Sequence, residues 1–376
     1  MTKKLIILNS HYLTRHNFKI HGLDYFKKNL NCIIYDLSYL TSKLLKRNSQ
    51  SLNFLKIHSL NEINSIFKNN KDSYYLDMLM SSPKAVIIRI MMHWYKLNVI
   101  SLKYLSTFPE ITYIRKITLK SFYKILSFIK VKTFLFDRIF NFISKEDINV
   151  CGGTVNNILY RKKKFLIYAA SAEYSNYLYN KKKILNRKYA VFSETNLFEH
   201  PDDFYKISNK IISKPIYERI NLFFDRFCLL TGLDVIISAH PTSNVKKLQK
   251  VFPNYRVIKG KTADLLRKSR MLININSSTF ALAVLYKKPI LHFTSNQIND
   301  HVNNRDITSI ISKKLASPYI DIDNFIDNKK ILNNKLFVIN RKKYQMYIDE
   351  YIKHPKSPES HWFETLSGQL SLSKFE

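Results

Sequence analysis

From Gly232 onward, short apolar runs alternate with amphipathic ones, and each apolar run stops at a polar cluster. Asp234 to Ala239 (DVIISA) is apolar and rich in β-branched residues, as a strand buried on both faces requires, and it ends at His240–Pro241. Tyr255 to Ile258 (YRVI) predicts a strand that ends at Lys259–Gly260–Lys261–Thr262. A helix over Ala263 to Ser269 follows, with Thr262 as its N-cap and Asp264 in its positive first turn. Met271 to Ile275 predicts a further strand, broken at Asn276–Ser277–Ser278–Thr279 before the apolar helix Phe280 to Tyr286. Lys287–Lys288 and Pro289 close that helix ahead of the strand Ile290 to Phe293. Such alternation implies a parallel sheet covered by helices on both faces, and these sheets bind ligands at the carboxyl ends of their strands. The polar clusters fall on those ends, so this half of the chain is expected to bind a nucleotide.

The first half carries the same period less cleanly. Lys3 to Asn9 predicts a strand, Ser10 to Gly22 a polar loop, Leu23 to Asn29 a helix and Asn31 to Leu37 a second strand. Leu52 to His58 reads as a third strand, with a helix from Asn61 to Phe67. Asp147 to Cys151, ending at Gly152–Gly153–Thr154, and Phe165 to Ala170 resume the strand pattern. The last of these leads into Ser171–Ala172–Glu173–Tyr174 and a helix to Lys183. Between the helix ending at Phe67 and the strand beginning at Asp147, 85–144 is aromatic, basic and poor in acids, and reads as a helical insertion. Within it, Thr118 to Ser144 has apolar residues at helical spacing with lysines between, as helices packed on the sheet or a basic surface on anionic lipid would. The basic linker Asn180 to Lys188 precedes a strand at Tyr189 to Phe192, Ser193–Glu194–Thr195–Asn196, and a helix at Ile216 to Thr231. The expected fold class is therefore α/β, with two Rossmann-like doubly wound domains facing a cleft, at 1–186 and 187–340. Helices over 341–376, carrying Trp362 and Phe363, are expected to cross back to the first domain.

Charge alters the list of partners more than the fold. Lys and Arg total 61 against 28 Asp and Glu, a formal +33. The accompanying abundance of Lys, Asn, Ile, Tyr and Phe is what an AT-rich coding sequence gives, and no nucleic-acid-binding signature comes with it, so nucleic acid is not expected as a partner. An anionic membrane surface or a phosphorylated, lipid-linked substrate accounts for the excess as well. Three widely spaced cysteines, Cys32, Cys151 and Cys228, form no disulfide framework or zinc motif. The start of the chain has too short an apolar run for a signal peptide, and no run is long enough to span a bilayer. The expectation is a cytoplasmic protein, peripheral on the inner membrane.

Several side chains could carry chemistry. The loop after the first strand holds His11, Arg15 and His16, which lack metal-ligand spacing and read as solvated or acceptor-binding residues. Glu173, on a strand-end loop, is either a general base or a carboxylate favouring the next helix's N-terminus. Glu194 and His200 are the rival bases. Ser277, Ser278 and Thr279 cap a helix or bind a phosphate through backbone N–H groups and hydroxyls, and one geometry serves both. His240, Pro241 and the run Lys259, Gly260, Lys261 and Thr262 would shape a pocket for base and ribose. No carboxylate pair has metal spacing, so neither a metal nor another cofactor is expected.

In their order, HP at 240–241, GKT at 260–262 and SST at 277–279 before AVLYKKP, these motifs resemble bacterial capsule and lipopolysaccharide glycosyltransferases of GT-B fold. Tyr189 to Phe293 is most similar to those using CMP-activated acidic sugars such as sialic acid, pseudaminic acid or Kdo. LTRHNFKIHGLDYF and SAEYSNY extend a weaker similarity into the first half. The resemblance implies that His240–Pro241 contacts cytidine and that Ser277–Ser278–Thr279 holds the donor phosphate. It also implies a metal-independent transfer to a hydroxyl of a surface glycan or lipid-linked glycan. Ser175 and Ser193 depart from the family, standing where acids are expected. A UDP- or GDP-sugar or a polyol-phosphate donor would use the same frame. A basic membrane- or nucleic-acid-binding protein without catalysis is the reading outside enzymology.

Overall fold

A computed structural model describes residues 3–10, 15–41, 54–79, 82–102, 105, 107, 148–154, 165–195, 214–241, 243–295, 305–327 and 334–371. The chain forms two compact units. One comprises Met1–Leu105, Ile111–Ala170 and Lys356–Glu376; the other Ser106–Glu110 and Ser171–Pro355.

The first unit is built on a seven-stranded sheet, every adjacent pair parallel. Its strands are β1 (Leu5–Asn9), β2 (Cys32–Asp36), β3 (Leu55–Lys56), β4 (Tyr74–Met78), β5 (Asn98–Ser101), β6 (Ile148–Cys151) and β7 (Phe165–Tyr168), in the order β3-β2-β1-β4-β5-β6-β7. All five residues of β1 are buried, as both faces are covered. Leu5 and Ile7 face Leu23, Phe26, Trp362 and Phe363, while Ile6 and Leu8 face Ile63, Phe67, Ile88 and Met92. The C-terminal helix Trp362–Ser371 thus completes the core of the first unit, as its two aromatic residues require. Gly22 makes that docking possible. Its φ is +64°, and a Cβ there would lie 2.1 Å from Cγ of Phe363.

Two local expectations fail here, and one strand was not foreseen. The loop after β1 contains a helix, Arg15–Ile20. β4 is disguised by Asp77, whose charge is met by Arg89 at 2.6 Å from the helix Pro83–Trp94. That helix and β5 belong to the framework of the unit, so an insertion does not begin at 85; residues 111–147 lie outside the described ones.

The second unit has six strands: β8 (Tyr189–Ser193), β9 (Asp234–Ala239), β10 (Arg256–Lys259), β11 (Met271–Asn274), β12 (Ile290–Thr294) and β13 (Tyr319–Asp321). They pair in parallel in the order β10-β9-β8-β11-β12-β13. One core packs the helix Lys214–Thr231, through Phe223, Phe224 and Phe227, onto Phe192, Ile237, Ile273 and Phe293. The helix Arg305–Leu315 and β13 follow β12 in an Asn- and Asp-rich stretch. The helix Ala172–Tyr179 belongs to this unit and packs on the helix Thr279–Leu285; covalent order alone had assigned it to the first domain. At the amino ends of the strands, the buried Lys288 donates to the Ser269 carbonyl at 2.6 Å, to Asn186 Oδ1 at 2.8 Å and to the Leu185 carbonyl. It fixes the linker before β8.

Candidate functional site

In the second unit β8 and β11 lie side by side, but the chain leaves them in opposite directions across the sheet. A parallel sheet opens a crevice at the carboxyl ends where its strand order reverses, and ligands of such folds bind there. The residues at this point are Ser193, which ends β8, with Glu194 and Thr195 beyond it, and Asn274, which ends β11, with the residues up to Thr279 beyond it.

They form a hydroxyl cluster. Ser193 Oγ lies 2.9 Å from Ser277 Oγ and donates to Thr279 Oγ1 at 2.9 Å. Ser277 Oγ donates to Thr279 Oγ1 at 3.0 Å. The backbone supplies less than the motif suggested. Thr279 N–H donates to Ser277 Oγ at 3.3 Å, Phe280 N–H to the Ser277 carbonyl at 3.3 Å and Ala281 N–H to the Ser278 carbonyl at 3.0 Å. The turn consumes these amides, and the helix has only seven residues. Hydroxyls, then, are what this cluster offers a ligand.

Glu173 is half-buried beside Ser278. Burial pushes its carboxyl above the usual carboxylate range, against the hydrogen bonds it accepts from its own N–H and from the Ser278 and Ser171 hydroxyls. Ser171 also caps the helix Ala172–Tyr179, accepting from Tyr174 N–H at 3.2 Å. Glu173 therefore sits in the same unit as the hydroxyl cluster, not on the opposite domain as its place in the sequence suggested.

Glu194 has a different environment. It is 2% exposed and accepts from Ser243 Oγ at 2.7 Å and from His240 N–H at 3.3 Å. Its own N–H donates to the Ser238 carbonyl at 3.0 Å. The carboxylate ties the His240–Pro241 turn after β9 to the end of β8. Lys259 Nζ donates to the Ser243 carbonyl at 2.9 Å, bringing the end of β10 into the network. Thr262 is not the helix cap; its Oγ1 lies 2.7 Å from Ser238 Oγ, and Lys261 occupies the cap position without a side-chain bond. Gly260 has φ +77°, which lets the chain turn off β10 into this helix. Pro241, Lys259, Gly260 and Lys261 are exposed, and His240 is half-buried.

Sequence reasoning missed the row beneath this surface. Ser238, Ser193, Asn274 and His292 stand in register on β9, β8, β11 and β12. Each is a polar residue near the end of an apolar strand, but only strand order makes them neighbours. Asn274 Nδ2 lies 3.4 Å from His292 Nδ1, while Asn274 Oδ1 and His292 Nε2 have no hydrogen-bond partner. Burial lowers the His292 pKa to about 3 and keeps the ring neutral. His11 and His200 lie outside the described residues, as do the side chains of Arg15 and His16. Among the described residues no three His, Cys, Asp or Glu side chains gather as metal ligands, and no helix is long and apolar enough to cross a membrane.

No family model matches the chain, and no curated protein matches it by sequence. Among solved structures, the wall teichoic acid polymerase TagF is 11% identical, with a TM-score of 0.53 over 99% of this chain and 89% of that one. A TagF variant soaked with CDPG gives a TM-score of 0.52 at 10% identity, covering 99% of this chain and 88% of that one. The UDP-GlcNAc 2-epimerase of Methanocaldococcus jannaschii, 14% identical, covers 91% of this chain and 97% of that one at a TM-score of 0.49. At these identities the TagF likeness speaks to the fold alone: two doubly wound parallel α/β units, the GT-B fold.

Proposed function

We propose that this protein is a metal-independent glycosyltransferase whose second unit binds a nucleotide-activated sugar at the reversal point between β8 and β11. A CMP-activated nonulosonic acid or Kdo is the donor that the order of HP, GKT and SST favours. The single observation that carries the reading is the meeting of Ser193, Ser277 and Thr279 in one hydroxyl cluster at that point, with Glu173 beside Ser278. Hydroxyl donors suit phosphate oxygens, and a carboxylate whose pKa is raised toward working pH suits a general base. In this scheme Glu173 takes the proton of an acceptor hydroxyl, whose oxygen attacks the anomeric carbon. The bond from that carbon to the phosphate oxygen breaks, and the nucleotide leaves with the electron pair. Glu194 holds the His240–Pro241 turn against β8, so its task is to position that turn for the base and ribose. Lys259, Gly260, Lys261 and Thr262 line the same end of the sheet. Acceptor binding is assigned to His11, Arg15 and His16 of the first unit, and the acceptor to a surface glycan or its lipid-linked form at the inner face of a membrane.

A second reading exchanges the donor for a nucleotide-linked polyol phosphate, and what favours it is the CDPG soak of the TagF variant with this fold. A thermal-shift series with CMP, CDP, UDP and GDP separates the two, since a bound ligand raises the melting temperature by mass action. The expected result is a rise with CMP that His240→Ala and Ser277→Ala each diminish. A rise with CDP and none with CMP transfers support to the polyol donor, and a rise with UDP or GDP alone removes cytidine. No rise with any of the four sinks the enzymatic reading.

A further inference from the structure

The helix Pro83–Trp94 of the first unit has two apolar faces, and only one of them is used. Ala85, Ile88 and Met92 are buried in the core against Ile63, Phe67 and Tyr75. Pro83, Ile87, Ile90 and Trp94 are exposed, Ile87 and Ile90 at 43% and Trp94 at 82%. Their spacing of four, three and four residues puts all four within about 60° of one another around the helix, opposite the buried face. The stripe runs for roughly 16 Å.

An exposed apolar stripe of this length marks a surface that meets something. Its chemistry indicates what. No acidic residue occurs in PKAVIIRIMMHW, Lys84 and His93 are exposed at its edges, and Lys96 is exposed in the turn just past its end. The one basic group on its inner side, Arg89, is neutralised by Asp77. An indole at one end of an aliphatic row, bordered by lysines on a chain of formal charge +33, matches the headgroup boundary of an anionic bilayer. We infer that this face lies on the membrane surface, with Ile87, Ile90 and Trp94 at the acyl boundary and Lys84 and Lys96 among anionic headgroups. The inference rests on the membrane side of the function proposed above and is independent of the donor nucleotide. It also moves the lipid contact away from 118–144, the segment whose sequence had suggested it.

The two tryptophans make the test direct. Trp362 is 1% exposed, so a blue shift of the emission on adding vesicles reports on Trp94. The full chain is mixed with phosphatidylcholine vesicles with and without phosphatidylglycerol, and read by sedimentation, emission and quenching by brominated lipid. Expected are sedimentation with the anionic vesicles, a blue shift quenched by the brominated chains, and at least tenfold weaker partitioning for I87D/I90D. Both substitutions fall on exposed positions, so the melting temperature of that variant should match the parent. Sedimentation with unchanged emission overturns this surface while leaving the membrane reading of the function intact. No sedimentation at low salt overturns both. A blue shift that grows with protein concentration in the absence of vesicles assigns the stripe to a second copy of the chain and overturns the lipid.

Discussion

Two glutamates at the ends of strands look alike in the sequence, and their surroundings divide them. Glu194 is buried and held by Ser243 and His240 N–H, which makes it a clamp on a turn. Glu173 is half-buried, with Ser278 and Ser171 as its side-chain donors and its pKa raised by burial. If Glu173 is the base, kcat/KM falls as pH drops through that raised pKa. Glu173→Gln should lower kcat by about 100- to 10,000-fold and abolish that acid limb. Ser278→Ala removes a hydrogen bond that favours the charged carboxylate, so the limb should move to higher pH. A pH–rate profile of both variants checks this, and a limb unmoved in Ser278→Ala argues for another base. The pairing of Glu173 with Ser278 spans more than a hundred residues, so nothing local in SAEYSNY announced it.

Among the elements, the C-terminal helix Trp362–Ser371 is the part whose place was most legible. Trp362 and Phe363 on an amphipathic segment demand an apolar partner, and they pack with Phe26 and Leu23. What the sequence did not carry is the demand on Gly22. Gly22→Ala would impose a strained left-handed conformation and drive a methyl into the Phe363 ring, together about 2–4 kcal/mol. Gly260→Ala meets the backbone strain alone, since no atom lies within 4 Å of its added methyl, and should cost about 1–2 kcal/mol. Denaturant midpoints of the two variants check the difference; equal losses would mean that the helix docks without that close approach. β4 went unread because Asp77 interrupts it, and the helix Pro83–Trp94 was read as part of a helical insertion because it is apolar on two sides. In each case a long-range partner, or an unused face, overrides the local period.

For the whole molecule, acid stability follows from groups held away from their ordinary protonation. His292 has a folded pKa of about 3, below its unfolded value, so between those values the unfolded chain binds the extra proton. Its contribution is present above pH 6.5 and is lost as pH falls toward 3, by about 1 kcal/mol per pH unit. The raised pKa of Glu173 acts with the opposite sign, its contribution being lost as pH rises through that value. His292→Phe, which has no proton to gain, should flatten the acid side of a plot of melting temperature against pH. An unchanged slope would place the acid sensitivity elsewhere.

The sequence by itself determined the strands of the second unit from Tyr189 to Phe293 and the polar points where they stop. Apolar β-branched runs such as DVIISA and MLINI, bounded by HP and NSST, specify buried strands and polar strand ends through local period and composition. It also set the need for a surface under Trp362 and Phe363. Only the tertiary structure decided which strand ends are neighbours. That the chain reverses between β8 and β11 brings Ser193 to Ser277 and Thr279, Glu194 to Ser243, and Asn274 to His292. Strand order and register arise from packing between residues far apart in the chain, each contact meaningful only once the sheet exists. A polar residue at a strand end is therefore visible in the sequence, while the company it keeps is a property of the sheet.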